Sequence, residues 1–350
     1  MKNSIQIFIL LAFCLSCSSK KAEIQEYNLS GKKLIINELL NPEKIRLNSN
    51  YLFVLESPSM DNDNAPIHLV DLQEKKYVSS YGTIGFGPGE ISDATSLEFG
   101  EVDSMFFVYS SIDKKISTFS IGQTKYPLRQ EKQLKDFFKA YSVKVFTDST
   151  YIGLTVDSPA RLIEFNASGD SISSFGRIQN FTERKDLDYF NLSQINMGWF
   201  ESNSSKTHFV VASIFTNRIE IFDKGTGEIK SIFMGPTEYT KFDLVSERSG
   251  QSVHWDLSTP YFFRDVVIVN KTIIALFGGL SERQIQENSE IAKTVYLISL
   301  NGEILVKLNL DTSIRSLAVS RDLKKIFGIT TDSDPGIVEF DIPDLIEGIL

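Results

Sequence analysis

The sequence predicts an all-β chain folded as a six-bladed β-propeller, on three observations. Apolar residues fall in short runs of strand length, helical periodicity is nearly absent, and one two-strand phrase recurs about six times. A hydrophobic content of 42% with 23% charged residues is that of a chain with enough apolar surface to fold, which excludes disorder. The 26 Phe and 12 Tyr favour strands over helices. A formal net charge of −9 repels phosphate backbones, so no nucleic-acid partner is expected.

Taken in chain order, residues 1–16 read as a leader. Lys2 gives a positive start, Ile5 to Phe13 are apolar but too short to span comfortably, and Ser16, Cys17, Ser18 and Ser19 follow. The segment Cys14-Leu15-Ser16-Cys17 resembles a bacterial lipobox, which makes Cys17 the lipid-bearing mature N-terminus. It departs from the usual pattern at Cys14, where Leu is common, and an ordinary signal peptide is the alternative. Both cysteines lie here, so the mature domain has to be held by core burial and strand pairing without disulfides. Residues 17–28 are polar and charged and are expected to be a tether, leaving 29–350 for the propeller.

The recurring phrase is an alternating strand, a polar turn and a second strand. It is seen as Ile67–Asp71 with Tyr77–Gly82, and as Ile116–Phe119. It returns as Leu162–Asn166 with Ser171–Gly176, and as Ile219–Asp223 with Ile229–Gly235. The last copies are Tyr296–Leu300 with Ile304–Leu308, and Ile337–Asp341. A spacing of roughly 40 to 80 residues brackets a four-stranded blade with insertions. The final copy lacks an outer strand, and Lys32–Glu38 is free to supply it, closing the ring without an exposed edge. A β-sandwich with a second β domain is the alternative. Only Glu131–Tyr141 and Leu280–Ala292 have room for a turn or two of helix.

The stretch Tyr81-Gly-Thr-Ile-Gly-Phe-Gly-Pro-Gly-Glu-Ile91 resembles a motif of the six-bladed TolB-like or NHL-like propeller lipoproteins of Bacteroidota, with Gly85, Gly87, Pro88, Gly89 and Glu90 as the matching residues. The sharp match covers about ten residues, and the remaining blades match by pattern. The resemblance implies a fold and an envelope address more than an activity. Physically the motif is a chain reversal between blades: its glycines allow unusual turns, Pro88 fixes its own φ, and Glu90 can accept from freed N–H groups. A phosphate cradle does not fit, because no Lys follows and Glu90 would repel an anion.

Chemistry-bearing constellations are sparse. His68, His208 and His254 have no metal-ligand spacing, no Gly-x-Ser-x-Gly elbow nominates a nucleophile, and no metal or other cofactor is expected. Two acidic loops, Met60–Ala65 and Thr331–Gly336, lack the full calcium-loop spacing and read as solvated tips. Asp103-Ser, Asp148-Ser and Asp170-Ser fit hairpin turns and resemble O-glycosylation acceptors.

Loop length divides the two faces. Asn48–Asn50, Asp103-Ser104, Asn166–Gly169 and Asn301-Gly302 are short turns of one face. Ser57–Pro66, Phe175–Phe200, Gly235–Tyr261 and Gly278–Ala292 are long connections of the other. The long-loop face carries Tyr189, Trp199, His254, Trp255, Tyr261 and Arg264, aromatic and cationic groups suited to a sugar, peptide or protein ligand, or to packing the loops down. The expected function is an outer-membrane lipoprotein, facing the periplasm or the cell surface, that binds a ligand or protein through that face. An NHL-like hydrolase or lyase, or a scaffold subunit of an envelope complex, are the alternatives. An exposed apolar patch there would favour protein contact, and a deep polar funnel a small molecule.

Overall fold

The computed structural model describes residues 24–57, 65–100, 104–147, 149–235, 241–248 and 250–346. Cys14, Cys17, the Met60–Asn64 part of the first acidic loop, Asp103 and Asp148 lie outside them.

Six sheets follow one another as blades. Blade 1 contains Pro42–Asn48, Tyr51–Glu56, Ile67–Asp71 and Lys76–Tyr81, and blade 2 contains Ser96–Phe99, Met105–Ser110, Lys115–Ser120 and Arg129–Lys132. Blade 3 contains Ala140–Thr147, Thr150–Thr155, Ala160–Asn166 and Ser171–Arg177, and blade 4 contains Gly198–Ser202, His208–Ser213, Arg218–Asp223 and Ile229–Phe233. Blade 5 contains Pro260–Val269, Thr272–Ser281, Thr294–Ser299 and Ile304–Leu310, and blade 6 contains Ile314–Val319, Lys325–Thr330 and Ile337–Asp341. The first strand of each blade is innermost.

The core is laminar, one apolar layer between each pair of neighbouring blades. Between blades 1 and 2, Phe53 meets Phe106 at 5.0 Å and Phe106 stacks on Phe119 at 5.0 Å, all three fully buried. Aromatic pairs of this kind add to the burial of their own surface. At Gly153 a Cβ would lie 2.8 Å from the Phe165 ring, so this strand position needs the missing side chain.

The ring closes as the sequence predicts. Gly31–Leu34 pairs antiparallel with Ile337–Asp341, Lys32 opposite Glu339, and supplies the fourth strand of blade 6. The end of the segment expected to be a tether, residues 17–28, is strand. Gln25–Leu29 runs parallel to Ile304–Leu310 as a fifth strand on blade 5, with Tyr27 opposite Leu308. The composition of this segment is polar, but its two apolar residues lie on one face: Leu29 is buried in the core layer and Tyr27 packs against it, while Glu26 pairs with Lys307 at 3.0 Å. Alternation outweighs average polarity here.

Both segments expected to hold helix do so, as a 3-10 turn over Lys135–Lys139 and an α-helix over Glu282–Asn288 started by a Ser281/Gln284 capping box. A third, Tyr189–Ile195, was not expected. Asp188 caps it by accepting from the Asn191 amide at 2.8 Å. A hairpin of Phe242–Glu247 and Gly250–Trp255, also unexpected, stands between blades 4 and 5.

The Gly-rich motif links the outer strand of blade 1 to the inner strand of blade 2. Glu90 Oε2 accepts from the Gly87 amide at 2.7 Å, and Gln130 clasps the loop from blade 2 by accepting from Gly89 N at 2.7 Å and donating to Glu90 O at 2.9 Å. Gly89 has φ of +81°, the left-handed region that favours glycine.

Candidate functional site

The six innermost strands surround a channel, and its middle holds a network of buried charges. Arg46 of blade 1 reaches across the axis, its Nε donating to Glu201 of blade 4 at 2.8 Å. Its Nη1 and Nη2 grip both oxygens of Asp265 in blade 5, each at 2.9 Å. Asp265 also accepts from Ser316 Oγ of blade 6 at 2.5 Å and from the Leu317 amide at 3.0 Å. Lys144 of blade 3 bridges Glu98 of blade 2 and Glu201, each at 2.5 Å. Every blade therefore contributes a side chain to one network, and the two-pronged geometry suits an Arg at its hub.

Burial alone would neutralise these groups, and the opposed charges prevent it. Against burial, Lys144 and Arg46 hold the Glu201 carboxyl well below the usual range, and Arg46 does the same for Asp265. The Lys144 ammonium, despite burial, is held above its ordinary value by Glu201 and Glu98. Lys44, two residues before Arg46 on the same face of the strand, behaves in the opposite way. Burial and then the Arg46 charge push it down to about 7. Its Nζ sits 5.7 Å from the centre of the Trp199 ring.

On the short-turn side of the ring the channel widens into a cavity of about 380 Å³. Arg46, Glu98 and Glu201 form its floor, and Lys206, Asn203, Asn270 and Arg321 stand around its mouth. Lys206 donates to Glu98 Oε2 at 2.5 Å and to Ser202 Oγ at 2.8 Å, so its charge is already engaged.

The long-loop face carries a cap over blade 4, made of the helix Tyr189–Ile195 and the hairpin that ends at Trp255. Asn191 Nδ2 donates to Gln251 O at 2.8 Å, and Gln194 Oε1 accepts from the Val253 amide at 2.9 Å. Trp255 stacks on Phe215 of blade 4 with centroids 4.2 Å apart, Tyr261 meets the same ring at 5.7 Å, and the Arg264 guanidinium lies 5.0 Å over Tyr261. Three of the six residues expected on this face are thus brought together, and Trp255 and Tyr261 pack the cap onto the blade. Trp199 lies deeper, half-buried, its indole N–H donating to Phe263 O at 2.9 Å. His254 and Tyr189 are exposed and separate from it. Tyr189, Phe190, Met197, Val245 and Leu257, all in the cap and its flanks, expose between 36% and 56% of their surface.

Sequence reasoning missed the channel ring. Its signal is a charge among apolar strand residues, as in Lys44-Ile-Arg46-Leu, Leu97-Glu98-Phe and Val143-Lys144-Val, in five of the six blades and without regular spacing, with the uncharged Ser316 in the sixth. Among the described residues, no group of three His, Cys, Asp or Glu is placed to hold a metal ion. Asp332 and Asp334 of the second acidic loop are both within ion-pair reach of Lys33, Asp332 at 3.0 Å, on the closing strand. His68 is buried beside Tyr77, with Nδ1 3.4 Å from its hydroxyl.

A model of the TolB-like, six-blade propeller-like family matches residues 58–322. Among solved structures, a member of the DUF4221 family from Bacteroides vulgatus superposes with a TM-score of 0.57 at 10% identity, covering 92% of this chain and 98% of its own. The β-propeller domain of Cps50 (Swd1) from Myceliophteria thermophila gives a TM-score of 0.48 at 11% identity, covering 89% of this chain and 100% of its own. No curated protein matches the chain.

Proposed function

From a chain that belongs to the TolB-like six-bladed propeller family, we propose a protein-binding module, held at the outer membrane by a lipid on Cys17 and docking its partner on the long-loop face. The observation that carries this reading is the cap. Its underside is fastened to blade 4 by Trp255, Phe215 and Tyr261, while Tyr189, Phe190, Met197, Val245 and Leu257 turn apolar surface outward. A rigid platform presenting apolar side chains beside polar ones is what a protein contact requires, since the ordering cost is met before the partner arrives. A photo-crosslinking amino acid at Tyr189 or Leu257 should trap the same protein in intact cells, and one at Asn301, on a short turn, should not. Equal adducts from both faces, or none from the cap, would overturn the reading.

The cavity of about 380 Å³ supports a second reading, a small polar ligand at the short-turn mouth. Its floor combines a guanidinium with two carboxylates, which suits a compact molecule carrying both donors and acceptors. Arg321→Ala at the mouth should weaken such a ligand and leave cap crosslinking unchanged.

A further inference from the structure

The basic side chains of the channel outnumber its carboxylates. Four, Lys44, Arg46, Lys144 and Lys206, face three, Glu98, Glu201 and Asp265. All three carboxylates are taken, by Arg46, Lys144 and Lys206. The Lys44 side chain has no ion pair and no hydrogen bond among the described residues, and its one close partner is the face of Trp199. It is largely buried with part of its surface still open, and it lies on the long-loop side of the ring, away from the cavity at the opposite mouth.

The surroundings define what would complete the site. Arg46 lies on the same strand, Lys144 faces Lys44 from blade 3, Glu201 from blade 4 and Asp265 from blade 5, with Ser316 bonded to Asp265 from blade 6. Glu98 of blade 2 is held by Lys144 and Lys206. Nearer the long-loop end, Glu43 is paired with Arg315 at 2.8 Å, and Arg264 lies over Tyr261. No protein carboxylate is left over for Lys44, and a flat apolar surface stands beside it.

We propose that the long-loop end of the channel is a binding site for a small aromatic acid, whose carboxylate pairs with Lys44 Nζ and whose ring lies against the Trp199 indole. The site is independent of the protein contact proposed above, since it uses none of the exposed cap residues. A ligand carboxylate gives Lys44 the acidic partner that none of the three channel carboxylates supplies. Because Lys44 is largely neutral at pH 8 without a ligand, pairing with an anion draws a proton onto it. At pH 5.5 the amine is already protonated and no further proton enters.

Benzoate is the probe, with benzamide as its neutral isostere, titrated calorimetrically into the full-length protein in detergent, using buffers of different ionisation enthalpy. Benzoate should bind at least tenfold more tightly than benzamide. It should take up close to one proton at pH 8 and almost none at pH 5.5. Lys44→Met should lose benzoate binding by tenfold or more. Lys44→Arg keeps the charge without the titration, so it should bind benzoate with no proton uptake, and it serves as the decisive variant if Lys44→Met does not fold. Absence of benzoate binding, binding without proton uptake in the native protein, or unchanged proton uptake in Lys44→Arg would each overturn the assignment.

Discussion

Removing Arg46 tests whether the channel ring holds the propeller together. In Arg46→Met the stem volume is kept, and the hydrogen bonds to Glu201, Asp265 and Ile45 O are lost together. Two carboxylates, each less than a tenth exposed, lose their principal counter-charge. Breaking a buried ion pair from one side costs about 3–5 kcal/mol, because the remaining charge stays desolvated. Lys144 still faces Glu201, and Ser316, Leu317 N and Val266 N still donate to Asp265, which sets the expectation at the lower half of that range. For a domain of this size that corresponds to a melting point lower by about 4–6 °C. Urea unfolding followed by tryptophan fluorescence measures it, with an unchanged denaturant slope as the sign that the fold is the same.

The pH dependence adds a second readout. In the native protein both carboxyls sit below their unfolded values, so their contribution is full above the ordinary carboxylate range and is lost as pH falls from that range to the lowered folded values, about 2 for Glu201. Without Arg46 much of that contribution disappears, and the deficit of the variant should shrink as pH is taken from about 5 towards 2. The triple variant Arg46→Met, Glu201→Gln, Asp265→Asn should recover part of the loss. A single-variant loss below about 1 kcal/mol, or a deficit that does not change with pH, would refute the reasoning.

Three further outcomes are expected. Truncation through Ile24 should leave the melting temperature unchanged, truncation through Leu29 should lower it by stripping Tyr27 and Leu29 from blade 5, and truncation through Leu34 should cause aggregation by baring Ile337–Asp341; equal melting of the first and last, with equal light scattering, would sink the closure assignment. Glu90→Ala should cost about 1–2 kcal/mol in chemical denaturation by leaving the Gly87 amide without its acceptor, and Glu90→Gln should restore some of it. Cys17→Ala should shift the protein from the membrane to the soluble or unprocessed fraction, and persistence on membranes after a high-salt wash would count against the lipid anchor.

The blades were legible because their outer halves repeat: Leu162–Asn166 with Ser171–Gly176, and Ile219–Asp223 with Ile229–Gly235, each show period-two alternation around a polar turn. The closing strand was legible by subtraction, since one copy lacked a partner and one strand lacked a copy. Gln25–Leu29 was not, because five residues with two apolar positions carry little periodic signal and its partner lies 281 residues away. The hairpin Phe242–Trp255 was hidden for a related reason: Asp243, Ser246, Gln251 and Ser252 dilute its alternation. Aromatic content drew attention to Trp255 and Tyr261, and the structure brings both onto Phe215 at the base of the cap, Trp255 from the hairpin and Tyr261 from blade 5. The ring of Arg46, Glu98, Lys144, Glu201 and Asp265 could not be found by local pattern, because its members lie one to a strand in five different blades, and nothing along the chain links them. Their relation exists only once the six blades are arranged around one axis.

The direction of the Gln25–Leu29 strand has a mechanical consequence. It runs parallel to the outer strand Ile304–Leu310, which travels from the short-turn end of blade 5 to the long-loop end, so the chain enters the domain at the short-turn rim. With the proposed lipid on Cys17, the strand begins about eight residues after the anchor, a leash of at most about 28 Å at full extension. Tension on that leash pulls Gln25–Leu29 along its own axis, loading its five paired positions together in shear instead of peeling them one at a time. Behind it Gly31–Leu34 grips blade 6 as a second clasp. A partner tugging on the cap would thus strain the molecule between its outer face and a doubly fastened root, with both strands in the path of the load.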